Sequence, residues 1–152
     1  MTAPSRFVTA LTEAGLDSPV VTMDDSTHTA AEAAAAIGCE LGQIVKSLIF
    51  VADGEPLLAL VSGSNRVDER LLGERLGVEL GKANAKLVKE ASGYSIGGVP
   101  PFGHATTLRT IIDPQLLTYD TVWAAAGTAL SVFELTPQQL VTVTKGEVIT
   151  VT

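Results

Sequence analysis

A lysine inside an apolar strand is the first residue of this sequence whose type and place suggest chemistry. Lys46 sits in Val45-Lys46-Ser47-Leu48-Ile49-Phe50-Val51, otherwise the pattern of a core strand. Its ammonium must reach solvent, meet a partner, or bear a desolvation cost of several kcal/mol. At the exposed start of the strand the side chain would snorkel outward. Facing a cleft, it would be a cation able to hold a carbonyl, hydroxyl or phosphate oxygen. Periodicity alone favours the first placement modestly.

The second feature is the run Gly93-Tyr94-Ser95-Ile96-Gly97-Gly98-Val99-Pro100-Pro101-Phe102-Gly103-His104. Paired glycines let backbone approach a ligand closely, and paired prolines stiffen the next part of the loop, so N–H groups can point inward without a large ordering cost. The plain alternative is a surface turn. His104 has the side chain of a near-neutral acid or base, although a lone histidine beside a loop is more often a structural hydrogen-bonding residue. In Trp123-Ala124-Ala125-Ala126-Gly127-Thr128-Ala129, small residues between strands form either one wall of a pocket or an ordinary hairpin turn. Val99 and Phe102 are candidate wall residues, with core packing the commoner use of a phenylalanine.

Several chemistries have no sequence support. No GK[ST] comes after the glycines, so the loop is not a phosphate-binding P-loop, and it is not the G-x-G-x-x-G of a dinucleotide fingerprint. There is no G-x-S-x-G elbow. Two histidines and one cysteine show no zinc spacing. Cys39 comes after Gly38 at a helix end and reads as a small packed side chain; His28 belongs to a helix entry. An enzyme built from this chain would use no metal, no cofactor and no nucleophile triad.

These groups must be positioned by one domain spanning residues 1–152. At that length folding buries roughly 70% of the unfolded surface. With 46% hydrophobic and 18% charged residues the chain can build a rigid core. It has no apolar run of the ~20 residues that span a bilayer, its start lacks a secretory pattern, and a single cysteine excludes an internal disulfide. Together these point to the cytoplasm. A net charge of −7 excludes indiscriminate DNA coating. Yet Arg66, Arg70, Arg75, Lys82, Lys86 and Lys89 cluster in residues 66–89; against four acidic residues they leave that window at +2 and the rest at −9. The window is either a local phosphate contact or a solvated helical face.

Helices are expected at 5–14 (Ser5 cap, Gly15 stop), from Thr29 to Ile37 (a Thr29/Glu32 capping box, Gly38 stop), at 68–76, at 84–91, and after Thr136-Pro137. Ile44–Ala52 and Pro56–Ser62 flank an Asp53-Gly54 turn and form a hairpin. Val20-Val21, 107–112, 120–125, 129–134 and 147–151 are further strands. Short helices interrupting partly hairpin-linked strands give an α+β fold with a mixed sheet.

The order and spacing of these segments resemble the YbaK/prolyl-tRNA-synthetase-associated family. The match runs through Thr29-Ala30-Ala31-Glu32-Ala33-Ala34, Gly38, Gln43 to Phe50, Val61-Ser62-Gly63-Ser64-Asn65-Arg66-Val67-Asp68, Gly97 to His104, Ala126-Gly127-Thr128 and Phe133-Glu134-Leu135-Thr136-Pro137, nearly the whole chain. The resemblance implies a compact α+β domain whose mixed, partly barrel-like sheet is flanked by helices. It implies a free-standing deacylase that hydrolyses the ester of mischarged tRNA, especially tRNA for proline carrying a small amino acid such as alanine or cysteine. Lys46 matches the family's functional lysine, and Gly97, Gly98, Val99, Pro100 and Pro101 match the loop that frames the aminoacyl end. His104, Gly127 and Thr128 are carried over as substrate-binding positions. The implied partners are the acceptor end of aminoacyl-tRNA and an aminoacyl-tRNA synthetase that delivers it, with no membrane and no DNA. Two other readings stay open: a non-catalytic module binding the same tRNA end or a synthetase, and a hydrolase of another small aminoacyl ester.

Overall fold

The computed structural model describes every residue except Met1, Thr2, Asp25, Ser26 and His28. The expected role of His28 at a helix entry therefore lies outside the described residues.

The lysine-bearing segment is the first strand of a regular hairpin. β2 (Val45–Ala52) and β3 (Glu55–Ser62) pair antiparallel from Val45↔Ser62 to Ala52↔Glu55. The turn residues Asp53 and Gly54 both have positive φ, 49° and 86°, the backbone that Asp-Gly supplies most cheaply. Leu57, Ala59 and Val61 face one core cluster while Leu58 and Leu60 face another, which is why β3 reads as an unbroken apolar run.

α1 (Ala3–Glu13) buries Phe7 and Leu11 and is followed by Gly15 with a φ of +74°. It begins ahead of Ser5, so that serine lies within the first turn instead of capping it. β1 (Val21–Thr22) precedes α2 (Ala30–Ile37), where Thr29 Oγ1 accepts from Glu32 N at 3.1 Å and Gly38 closes the helix. α3 (Glu69–Leu76) and α4 (Ala85–Ser92) are capped by Asp68 and Asn84 and stopped by Gly77 and Gly93. Between them lies β4 (Leu80–Lys82), a strand that the sequence pattern does not announce. β5 (Arg109–Ile112), a short 3-10 turn (Pro114–Thr118), β6 (Val122–Ala125), β7 (Ser131–Leu135), α5 (Pro137–Thr144) and β8 (Glu147–Val148) complete the order.

The strands form a five-stranded sheet, β4-β2-β3-β5-β8, and a three-stranded sheet, β1-β7-β6. β3–β5 and β5–β8 are parallel and the remaining pairs antiparallel, so the α+β, mixed-sheet expectation stands. The partly barrel-like picture is corrected in one respect: the sheets touch through a parallel bridge between Ile44 and Trp123 but do not close. The principal core lies between them and under α1. Phe7, Phe102 and Phe133 meet there with centroids 4.9 to 6.0 Å apart. Each such ring contributes about 1.5–3 kcal/mol by leaving water.

Candidate functional site

β4 pairs, among the described residues, only with Phe50–Ala52 of β2. Among the described residues the Val45–Ile49 stretch has β3 on one side and, on the other, only the contact of its leading edge with β6. A cleft opens along that free edge. It has two lobes, of about 330 and 540 Å³, which share Lys46, Ser47, Leu48, Ile96 and Val99. Lys46 thus stands at their junction, half-buried, and the cleft-facing placement is the one realised.

Its ammonium donates to the Asn65 carbonyl at 2.5 Å. Burial pushes the amine below the usual lysine range; the charge of Asp113 opposes this and that of Arg66 adds to it. Beside it the Ser47 Oγ is buried and has no hydrogen-bond partner among the described residues. A polar residue next to Lys46 in an apolar strand was the signal for this hydroxyl, and sequence reasoning passed over it.

The glycine/proline loop comes after α4, and only part of it faces the cleft. Ile96, Gly97 and Val99 line it; Gly97 has a φ of +88°. Gly98 faces the other way, onto Gly127 and Thr128: a Cβ there would meet Thr128 Cα at 2.8 Å and the Gly127 carbonyl at 3.1 Å. Pro100 and Pro101 are buried. His104 Nε2–H donates to the Pro100 carbonyl at 2.6 Å, and burial lowers its pKa. The structure therefore gathers Lys46, the loop and the Gly127-Thr128 turn in one place. Gly98, Pro100, Pro101, His104, Gly127 and Thr128 form the loop's support and not the cleft wall. Thr128 Oγ1 meets Ser131 Oγ at 2.7 Å, and Ser131, together with Met23 and Thr27, lines the larger lobe. None of these three stands out in the sequence.

The two lobes differ in charge. Arg66, Glu69 and Lys82 line the smaller. In the larger, Lys46 is the only charged lining residue among those described, set among small, apolar and hydroxyl side chains. Three other basic residues of the 66–89 window are occupied elsewhere. Arg70 and Lys86 pair with Glu74 and Glu90 along their own helices, and Arg75 donates to the carbonyls of Thr150 and Thr152. The window is mainly a mixed-charge face, with two cations turned to the cleft. Among the described residues no group of three or more His, Cys, Asp or Glu could hold a metal ion, and no helix is long and apolar enough to cross a membrane.

The sequence profile of the aminoacyl-tRNA editing domain matches residues 24–143, which hold nearly every cleft residue named above. The chain belongs to the aminoacyl-tRNA editing domain family. A solved structure described as that of "a putative trans-editing enzyme for prolyl tRNA synthetase" is 43% identical, with a TM-score of 0.94 over 99% of this chain and 96% of that one. The uncharacterized protein YwhH of Bacillus subtilis (strain 168) is 32% identical over 133 residues, 87% of this chain and 85% of its own. Proline–tRNA ligase of Nitratidesulfovibrio vulgaris (strain DP4) is 37% identical over 90 residues, 59% of this chain but 16% of the ligase. Sequence similar to this chain thus occurs both in a protein of about this size and within a much longer synthetase.

Proposed function

We propose that this chain is a free-standing, cytoplasmic deacylase that hydrolyses the ester of mischarged tRNA, tRNA for proline carrying a small amino acid such as alanine or cysteine. The observation that carries this reading is a half-buried ammonium at the junction of a charged and an apolar lobe. The charged lobe, with Arg66 and Lys82, suits the phosphate-bearing 3′ end of the acceptor strand. The larger lobe suits the amino acid, and the ester between them then lies at Lys46.

Hydrolysis requires a water oxygen to add to the ester carbonyl, a transient oxyanion, and departure of the ribose oxygen with a proton. Lys46 is the catalytic residue in this scheme, holding the carbonyl oxygen as its charge develops. The loop assists with fewer donors than its length suggests. Pro100 and Pro101 have no N–H, and that of Gly98 is given to the Ser95 carbonyl at 2.9 Å, which leaves those of Gly97 and Val99. The neighbouring ribose hydroxyl helps to place the water and returns the proton. The Ser47 hydroxyl, unpartnered among the described residues, can meet the substrate's amino or hydroxyl group. The protein's share is positioning and electrostatics.

At about 540 Å³ the larger lobe exceeds what an alanyl or cysteinyl side chain fills. Selection then rests on the wall chemistry and on how the loop seats the ester, with double-sieve logic acting locally. A synthetase partner would deliver the tRNA to a chain whose net charge is −7.

The deciding experiment is a deacylation panel of tRNA for proline charged with alanine, cysteine, serine or proline, with Lys46→Ala alongside. Loss of one or two small amino acids, slowed at least about a hundredfold by the substitution, is expected. Survival of every ester at high protein concentration with a synthetase present would favour a binding module instead.

A further inference from the structure

Behind Lys46 lies a buried carboxylate that the proposed chemistry does not use. Asp113, just after β5, is 2% exposed and accepts three hydrogen bonds. Its Oδ2 receives the Ser62 N–H at 3.1 Å and the Asn65 Nδ2–H at 2.8 Å; its Oδ1 receives the Gln115 N–H at 3.0 Å. Asn65 is the residue whose carbonyl accepts the Lys46 ammonium. A chain of direct contacts therefore runs from Asp113 through the Asn65 side chain and backbone to the lysine.

Each link sits where it can act on the next. Asn65 belongs to the turn after β3, closed by its own N–H to the Ser62 carbonyl at 2.9 Å. That turn is pressed against the segment leading into β2. Gly63 N donates to the Ile44 carbonyl at 2.7 Å, Ser62 Oγ donates to the Gly42 carbonyl at 2.7 Å, and a Cβ on Gly63 would meet the Leu41 carbonyl at 2.4 Å. The turn is fixed from below and behind, and the Asn65 amide ties its far end to Asp113. A lysine side chain has four rotatable bonds and loses most of its rotamer freedom when held. A carbonyl aimed by a buried anchor supplies the fixed acceptor that holding it requires.

We infer that Asn65 and Asp113 are positioning residues for Lys46: the buried carboxylate aims the Asn65 carbonyl, and that carbonyl holds the ammonium at the junction of the lobes. This assignment rests on the proposed deacylase reading for its kinetic consequence, but not for its structural content. Among the described residues the charged groups around Lys46 are Asp113 after β5, Arg66 after β3, and, lining the smaller lobe, Glu69 of α3 and Lys82 of β4. Of these four, Asp113 is the one both buried and tied to the lysine's own acceptor.

The test compares the wild-type chain with Asn65→Ala and Asp113→Asn. The amine of Lys46 is followed by NMR of lysine labelled with 13C at Cε and assigned through Lys46→Arg, beside deacylation of whichever ester the wild type cleaves. Asp113→Asn should move the Lys46 titration to lower pH, because the opposing negative charge is gone, and the alkaline limb of kcat should move with it. Asn65→Ala, which leaves the other two Asp113 bonds intact, should lower kcat by about tenfold to a hundredfold with KM within about twofold. It should also merge the two Cε proton signals of a lysine no longer held. If Asp113→Asn fails to fold, Asn65→Ala decides alone. Folded variants with unchanged kcat and an unmoved Lys46 titration would overturn the assignment, as would activity lost while the Lys46 signals stay as in the wild type. If the wild type cleaves no ester, the deacylase reading fails, and the NMR comparison still decides the positioning.

Discussion

Gly98 lies so close to Thr128 that a methyl group on the glycine would stand 2.8 Å from the threonine Cα and 2.9 Å from its carbonyl carbon. This contact joins the glycine/proline loop to the turn between β6 and β7, two segments about thirty residues apart in sequence. It makes one wall of the cleft out of both. Gly97, its neighbour, has a different requirement: a φ of +88° with open space around it, the nearest heavy atom to a Cβ being Ala129 Cβ at 3.5 Å.

The two glycines should therefore fail differently. Gly97→Ala meets only the left-handed backbone penalty, about 1–2 kcal/mol. Gly98→Ala must push backbone away from backbone, an overpacking cost of about 1–3 kcal/mol, and it shifts the loop relative to Lys46. Thermal melts with deacylation assays check this. Gly98→Ala should lose more activity per degree of Tm lost than Gly97→Ala; equal ratios would mean that the contact does not shape the cleft.

The elements that position the cleft were largely legible in the sequence because each carries a local signal. Asp68 and Asn84 accept from the N–H groups of Leu71 and Leu87, as cap residues do, and Asp53-Gly54 adopts its turn. What escaped is set by contacts distant in sequence. β4 is three residues long with a glycine at its centre, Gly81, and exists because the β2 edge is there to pair with it. Asp113 was not singled out in the sequence, because nothing local says that its carboxylate is buried against Asn65, forty-eight positions away. The loop was recognisable as a loop, but which residues look into the cleft is fixed by Gly98 meeting Thr128. Ser47 and Ser131 were missed for the same reason: a hydroxyl in a strand has no local sign of what it faces.

Arg66 and Lys82 are the two basic residues of the 66–89 window that line the smaller lobe. Lys82 lies 4.0 Å from Glu69, a distance at which an exposed pair is worth little and gives way to a phosphate. Arg66→Ala and Lys82→Ala should each raise KM for mischarged tRNA and lower the steepness of its salt dependence by about 0.7–0.9 in log–log slope. Lys86→Ala and Lys89→Ala should change neither. A salt titration of KM on the four variants measures this, and equal effects at all four positions would remove the special place of the lobe.

Ala125 lines the larger lobe at the end of β6, half-buried and with Val132 opposite it on β7. Ala125→Leu extends three carbons into the space assigned to the amino acid. Deacylation of the larger accepted ester should fall first, with kcat/KM for cysteinyl-tRNA dropping at least about tenfold more than for alanyl-tRNA, a difference of about 1.4 kcal/mol. A uniform loss on both would put the side chain elsewhere.

His104 braces the loop from behind, and its titration should show in stability before it shows in catalysis. Burial holds its folded pKa below the ordinary histidine value of 6.5, with the bond to the Pro100 carbonyl opposing in part. Between the folded and unfolded values the unfolded chain carries more protons on this histidine, so stability rises with pH across that window. The contribution is complete above the unfolded value, near 6.5, and is lost on acidification toward the folded one. Wild-type Tm should therefore drop between about pH 7.5 and about pH 5.5 by more than that of His104→Gln, which can still donate to the Pro100 carbonyl but does not titrate. The pH dependence of kcat on the acid side should be the same in both, because the imidazole lines neither lobe. Matching Tm drops would show that the histidine is not held neutral by burial, and an acid limb present only in the wild type would return it to the chemistry.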